Sequence, residues 1–295
     1  MKTLAFIHRN DTRFSVGDFS PVLSVFSHYE LGNTVSPFLL LDHLGPGKLK
    51  PTNIRKGVSE HPHRGFETVT LVFSGEIEHQ DSTGGGGIIK AGDVQWMTAA
   101  SGIMHKETFS ESFSKQGGYF EMIQLWVNLP AKDKMNPPRY QSLEKANIPT
   151  VHFPNNKGIL RVIAGEFEQQ QGPAKTHSPM KVFDVTIEAG ETITLPAGAG
   201  ETTLIYLRSG RLQFSPEDEL LEEQGMAVMS SQEENVEITA IQKSQLLFLS
   251  ALPFNEPVNG HGPFVMNTYE EILEAYEDIK TGNFIRYEAE ESRDI

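Results

Sequence analysis

The most constraining feature of this sequence is its punctuation. From Pro21 to Gln124, short apolar or alternating runs are cut by Gly, Pro, Asn and Asp, as in Thr68-Val69-Thr70-Leu71-Val72-Phe73 followed by Ser74-Gly75. Such runs alternate at the period of a strand and stop too early for helices, so the chain reads as all-β, a sandwich or barrel. The pattern lapses over the polar, Pro-rich stretch Leu129 to Pro138 and resumes near Ile159, with strand-like runs at Lys181 to Ile187, Leu204 to Leu207 and Leu246 to Leu249. The halves echo each other. Val72-Phe73-Ser74-Gly75-Glu76-Ile77 recurs as Leu207-Arg208-Ser209-Gly210-Arg211-Leu212, and Ile89 to Val94 returns more loosely as Glu188 to Ile193. A duplicated β-domain follows: a first domain over 1–130, a linker over 131–149 and a second domain over 150–295. Each half is large enough to bury its own core.

One helix stands out, over 268–282. Thr268 and Glu271 make a capping box, Tyr269, Ile272, Leu273, Tyr276 and Ile279 form an apolar stripe expected to pack on its own domain, and Gly282 ends it. The run Glu288-Ala289-Glu290-Glu291 reads as a solvated acidic tail.

Composition removes several function classes. With 39 acidic against 25 basic residues the formal charge is -14, which argues against direct nucleic-acid binding. No Cys is present, so disulfides, thiolate nucleophiles and Cys-ligated metals are excluded, and any metal must bind N and O ligands. The apolar run after Met1 is too short for a signal segment, and no stretch approaches the roughly 18 apolar residues of a membrane span. The expectation is a cytoplasmic protein without membrane contact.

Chemistry is concentrated in two short motifs. His61-Pro62-His63 places two imidazoles on one face of a strand, and His105-Lys106-Glu107 repeats the spacing with a carboxylate as second member. Two such strands can offer three neutral nitrogens and an anionic oxygen to one divalent ion. Spacing leaves the carboxylate open: Glu107 pairs with His105, whereas Glu67, four residues past His63, falls on the same strand face as both histidines. Gly84-Gly85-Gly86-Gly87 lacks the Lys and hydroxyl of a phosphate loop and reads as a hairpin tip.

The blocks His61-Pro62-His63-Arg64-Gly65-Phe66-Glu67-Thr68-Val69-Thr70, Gly92-Asp93-Val94-Gln95-Trp96-Met97-Thr98-Ala99 and Ser101-Gly102-Ile103-Met104-His105-Lys106-Glu107 closely resemble the pirin family of the cupin superfamily. So do Phe38 to Pro46, Gln124 to Pro130 and Gly262 to Thr268, so the resemblance runs through most of the chain. It implies two cupin β-barrels with one metal, usually iron, in the first, and its ligands fall on His61, His63, His105 and Glu107 rather than Glu67. The second barrel, where His177 and His261 stand alone, is expected to be metal-free.

Relatives of this kind act as quercetin 2,3-dioxygenases, which implies a flavonol or related enol and O2 as reactants, Fe(II) as the cofactor and Glu107 as both ligand and candidate catalytic proton acceptor. No separate general base is visible in the sequence. Met97, Met104, Phe120 and Met122 are candidates to line an apolar pocket for a planar ligand, or else are barrel core. The alternative that the resemblance leaves open is a non-catalytic iron-binding regulator that acts on a transcription complex or metabolic enzyme through protein contacts.

Overall fold

The structure, a computed structural model, describes residues 1–215 and 219–287. The acidic run from Glu288 lies outside the described residues. The chain divides into two compact β units, and both are assembled from separated stretches of sequence.

One unit comprises Thr12–Tyr29, Phe38–Lys145 and the chain from Asn255 onward. Its larger sheet has seven antiparallel strands in the spatial order Arg139–Leu143, Val94–Thr98, Phe66–Ser74, Gly118–Asn128, Phe38–Leu49, Phe19–Ser27 and Arg13–Val16. A four-stranded sheet follows the order Gly57–His63, Ile103–Phe109, Glu76–Asp81 and Gly86–Lys90. Phe19, Val22, Leu44, Val72, Phe120 and Met122 of the first sheet meet Ile77, Ile89 and Phe109 of the second in one apolar cluster, as inward-facing positions of a closed β structure must.

The other unit comprises Met1–Asp11, Glu30–Pro37 and Ala146–Phe254, around a nine-stranded antiparallel sheet. Its interior is filled by Leu160, Phe183, Val185, Leu207, Phe214, Ile238 and Phe248, all fully buried. The sequence echo has a backbone counterpart: Gly75 and Gly210 adopt φ of 82° and 99°, a left-handed conformation that a side chain would oppose, at matching Ser-Gly turns.

These units do not follow the expected boundaries. Leu4–His8, expected in the first domain, pairs with Met226–Met229. The expected linker is structured: Arg139–Leu143 is an edge strand on Val94–Thr98, and Lys134 is buried, its Nζ donating to Gly65 O, Asn128 Oδ1 and Val265 O. Polar composition marked the segment as exposed, but three buried acceptors satisfy that ammonium.

The helix, expected with the second domain, belongs to the unit of the His-x-His strand. It spans Tyr269–Thr281, with the capping box of Thr268 and Glu271 formed and Gly282 left-handed at its end. Ile272 and Ala275 are its buried residues, packed with Phe264, Met266 and Phe284. Tyr269, Leu273, Tyr276 and Ile279 are exposed, contrary to the expected packing stripe. The small Ala275 permits the close approach, and the returning Phe284 seals that face. Among the described residues no helix is long and apolar enough to cross a membrane.

Candidate metal centre

Gly57–His63 and Ile103–Phe109 are antiparallel neighbours with His105 opposite His61 and Ile103 opposite His63. Alternation then puts His61, His63, His105 and Glu107 on one face, although the register slips between His105 and Glu107. The imidazole centroids lie 4.8 Å apart for His61 and His63, 4.2 Å for His61 and His105, and 4.9 Å for His63 and His105. One ligand atom from each of these histidines lies within 4.8 Å of the others, and His79, His105 and Glu107 form a second such group. All four residues singled out in the sequence line a cavity of about 290 Å³, at the small end of ligand pockets.

Hydrogen bonds decide which nitrogen each ring presents. His61 Nδ1–H donates to Ser59 O at 2.8 Å, and His63 Nδ1–H donates to Pro263 O at 3.3 Å. His105 Nδ1 meets His79 Nδ1 at 3.3 Å, and His79 Nε2 meets Asp81 Oδ2 at 2.9 Å. Asp81 is buried, which works against its charge, but hydrogen bonds from His79 and Thr83 hold its carboxyl below the usual range. A carboxylate there accepts from His79 Nε2–H, so His79 Nδ1 accepts from His105 Nδ1–H. Each of the three rings then turns Nε2 away from its partner, and His105 Nε2 is buried without one. Burial first, and the neighbouring imidazoles second, lower the pKa of His63 to about 3 and that of His105 well below its ordinary value. Neutral imidazoles with outer partners of this kind are the donor form that a divalent metal requires.

The two carboxylates part company. Glu107 Oε1 accepts from Thr70 Oγ1 at 3.2 Å and Gln95 Nε2 at 3.3 Å, and Oε2 accepts from Gln124 Nε2 at 3.3 Å. Glu67 cannot share the face of His61 and His63, because the strand ends at His63 and Gly65, at φ 90°, turns the chain into Phe66–Ser74 of the other sheet. There Phe66, which packs its ring on His63, and Thr70, bonded to Glu107, face the site, and Glu67 points oppositely, accepting from Thr98 Oγ1 at 2.6 Å.

Sequence reasoning missed His79 and Asp81, although their i, i+2 spacing was a usable signal once set beside His105-x-Glu107. His79 faces Glu107 and Asp81 faces His105 across the ladder, so the two pairs share a face. Of the expected pocket residues, Met122 lines the cavity. Phe120 belongs to the main apolar cluster, Met97 packs with Ala99 and Ile103, and Met104 packs against the cluster of Phe264. The walls are instead Phe14, Val22, Leu40, Leu44, Val58 and Trp126, with Asp42 and Gln124 as further polar members.

Residues 20–127 match the Pirin family model and residues 182–285 match the model described as Pirin C-terminal cupin domain. A Pseudomonas aeruginosa protein named "Putative quercetin 2,3-dioxygenase" is 52% identical over 97% of this chain and 99% of its own length. A crystal structure described as quercetin 2,3-dioxygenase from Acinetobacter baumannii is 45% identical, covers 96% of this chain and 98% of that one, and superposes with a TM-score of 0.93. At 20% identity, the structure of a bacterial pirin from Escherichia coli in complex with nickel(II) shares the fold, with a TM-score of 0.63 over 84% of this chain and 99% of that one. With both halves matched by the family's models and the length shared almost in full, the chain belongs to the pirin family of two-domain cupins.

Proposed function

We propose that this chain holds one divalent metal, Fe(II) in its working form, through Nε2 of His61, His63 and His105 and the carboxylate of Glu107, and uses it to open the central ring of quercetin or a related enol with O2. One observation carries the reading: three imidazoles whose Nδ1 atoms are engaged leave their Nε2 atoms for one centre, beside a carboxylate, in an apolar cavity. When bound, the metal would supply Lewis-acid chemistry toward an enol and dioxygen.

The chain's residues do the rest. Glu107 offsets one unit of the ion's charge, and Thr70, Gln95 and Gln124 hold it in place. Trp126 and Leu40 offer flat and branched apolar surface to a planar ligand, while Val22 and Leu44 help to keep water out. The names of the relatives, which speak of quercetin 2,3-dioxygenase, support this substrate class.

The test is anaerobic iron loading followed by oxygen. One equivalent of metal, oxygen-dependent loss of flavonol absorbance and release of carbon monoxide are expected, with His61→Ala and His105→Ala losing most of the metal. Full metal occupancy in both variants removes the ligand assignment. A loaded protein that consumes no oxygen with quercetin, but binds a protein partner in a metal-dependent way, favours the regulatory reading.

A further inference from the structure

The sequence shows no general base apart from Glu107, and Glu107 is committed: in addition to its proposed ligand role, its oxygens accept from Thr70, Gln95 and Gln124. The cavity contains a second carboxylate. Asp42 lies on the strand Phe38–Leu49, where alternation aims Leu40, Asp42 and Leu44 into the same space and His43 to the opposite face. Its ladder neighbours are Ser24 on one side and Gln124 on the other, and Gln124 in turn donates to Glu107. Asp42 is thus set one side chain back from the metal centre and belongs to neither of the ligand groups. It is 9% exposed, and its Oδ1 is buried with no hydrogen-bond partner.

An unpaired carboxylate oxygen in an apolar wall is costly, so its position calls for a ligand donor. We propose that Asp42 is the catalytic base of this site, its free Oδ1 taking the proton from the enolic hydroxyl of the substrate. In that step the substrate O–H bond breaks, its electron pair stays on oxygen as the enolate, and the proton becomes the Asp42 carboxyl hydrogen. No electron is transferred and no co-reactant is needed. The assignment rests on the enol-cleaving reading above and separates two duties that the sequence had left on one residue: Glu107 is a ligand and Asp42 moves the proton.

The surroundings suit the task. Burial, opposed by a hydrogen bond with Ser24, raises the Asp42 carboxyl to about 7, near the pKa that makes a base effective at neutral pH. The other titratable groups lining the cavity are His61, His63, His105 and Glu107, while Ser24 and Gln124 on the flanking strands are neutral.

The test uses the full-length metal-free protein and quercetin, whose enolate absorbs at longer wavelength than the neutral flavonol. Binding is read separately by quenching of tryptophan fluorescence, to which Trp126 in the cavity wall contributes. Wild type is expected to bind quercetin and develop the enolate band at neutral pH. Asp42→Asn should bind without the band, and Asp42→Glu should recover part of it. In the iron-loaded protein, Asp42→Asn should lower kcat by about 10²–10⁴-fold with KM little changed. Metal content equal to wild type certifies the variant's fold, and Asp42→Ser replaces Asp42→Asn if that variant fails the check. An undiminished enolate band in a folded variant overturns the role of Asp42 alone. Failure of wild type to bind quercetin overturns it together with the substrate reading.

Discussion

His105 uses its two ring nitrogens differently, and that division has a measurable consequence. Its Nδ1 is tied to His79 and through it to Asp81, so the outer pair fixes the tautomer that presents Nε2. Removing the outer partner, as in His79→Ala, is expected to weaken metal affinity by about 10–100-fold while leaving stoichiometry at saturation unchanged, read by competition with a chelator. Glu67 behaves otherwise. Burial, opposed by the hydrogen bond from Thr98, raises its carboxyl to about 7 from 4.5. A raised acid binds its proton more tightly folded than unfolded, so between those values stability falls as pH rises. Glu67→Gln keeps an acceptor for Thr98 and removes the charge; it should gain stability over wild type as pH climbs from about 4 to 8, with metal content unchanged. Equal denaturation midpoints for the two proteins across that range would contradict the buried charge.

Among the elements, the turn at Arg64-Gly65 matters most, because it separates the histidine strand from the strand carrying Glu67. A Cβ on Gly65 would lie 2.0 Å from Val265 O and demand φ near 90° of an L residue. Gly65→Ala is therefore expected to cost more than about 2 kcal/mol in denaturant unfolding and to reduce metal binding, since His63 is two residues away. A neighbouring contact shows how the turn is held from behind. Arg64 is buried, pairs with Asp278 at 2.7 Å and lies 4.6 Å from the ring centroid of Phe284. The helix carrying Asp278 was visible in its capping box, but not in its packing: a five-residue stripe resembles a buried face until the partner surface is known, and here the partner accepts Ile272 and Ala275.

At the scale of the whole molecule, the histidine strand depends on sequence two hundred residues away. Pro263 O orients His63, Val265 O receives Lys134, and Asp278 holds Arg64, all from the stretch that follows Asn255. A chain ended after Phe254 removes these contacts together and leaves Arg64 as an unpaired buried charge. Such a chain is expected to lose metal and to show early, separate unfolding of the unit built on Phe38–Lys145, whereas Ala146–Phe254 keeps its filled core. Retention of stoichiometric metal by the shortened chain would show that the closing segment is dispensable.

Sequence alone determined what depends on local periodicity and on residue chemistry. Alternating runs between turn residues specify strands, the Thr268 and Glu271 pair specifies a helix start, and His-x-His beside His-x-Glu specifies side chains that share a face, because each rule operates within a few residues. Only tertiary structure decided where the carboxylates point, which outer partners the histidines meet and how the two units divide the chain. Glu67 is turned away by one left-handed glycine, Asp42 gains its meaning from walls contributed by other strands, and His79 reaches His105 through ladder register. The closing segment joins the unit of the metal site through scattered hydrogen bonds, an ion pair and the apolar contacts of Phe264 and Val265, none of which leaves a periodic trace in sequence. Contacts between distant positions depend on where the sheets place them, and a buried polar group is recognisable only when its partners, or their absence, are in view.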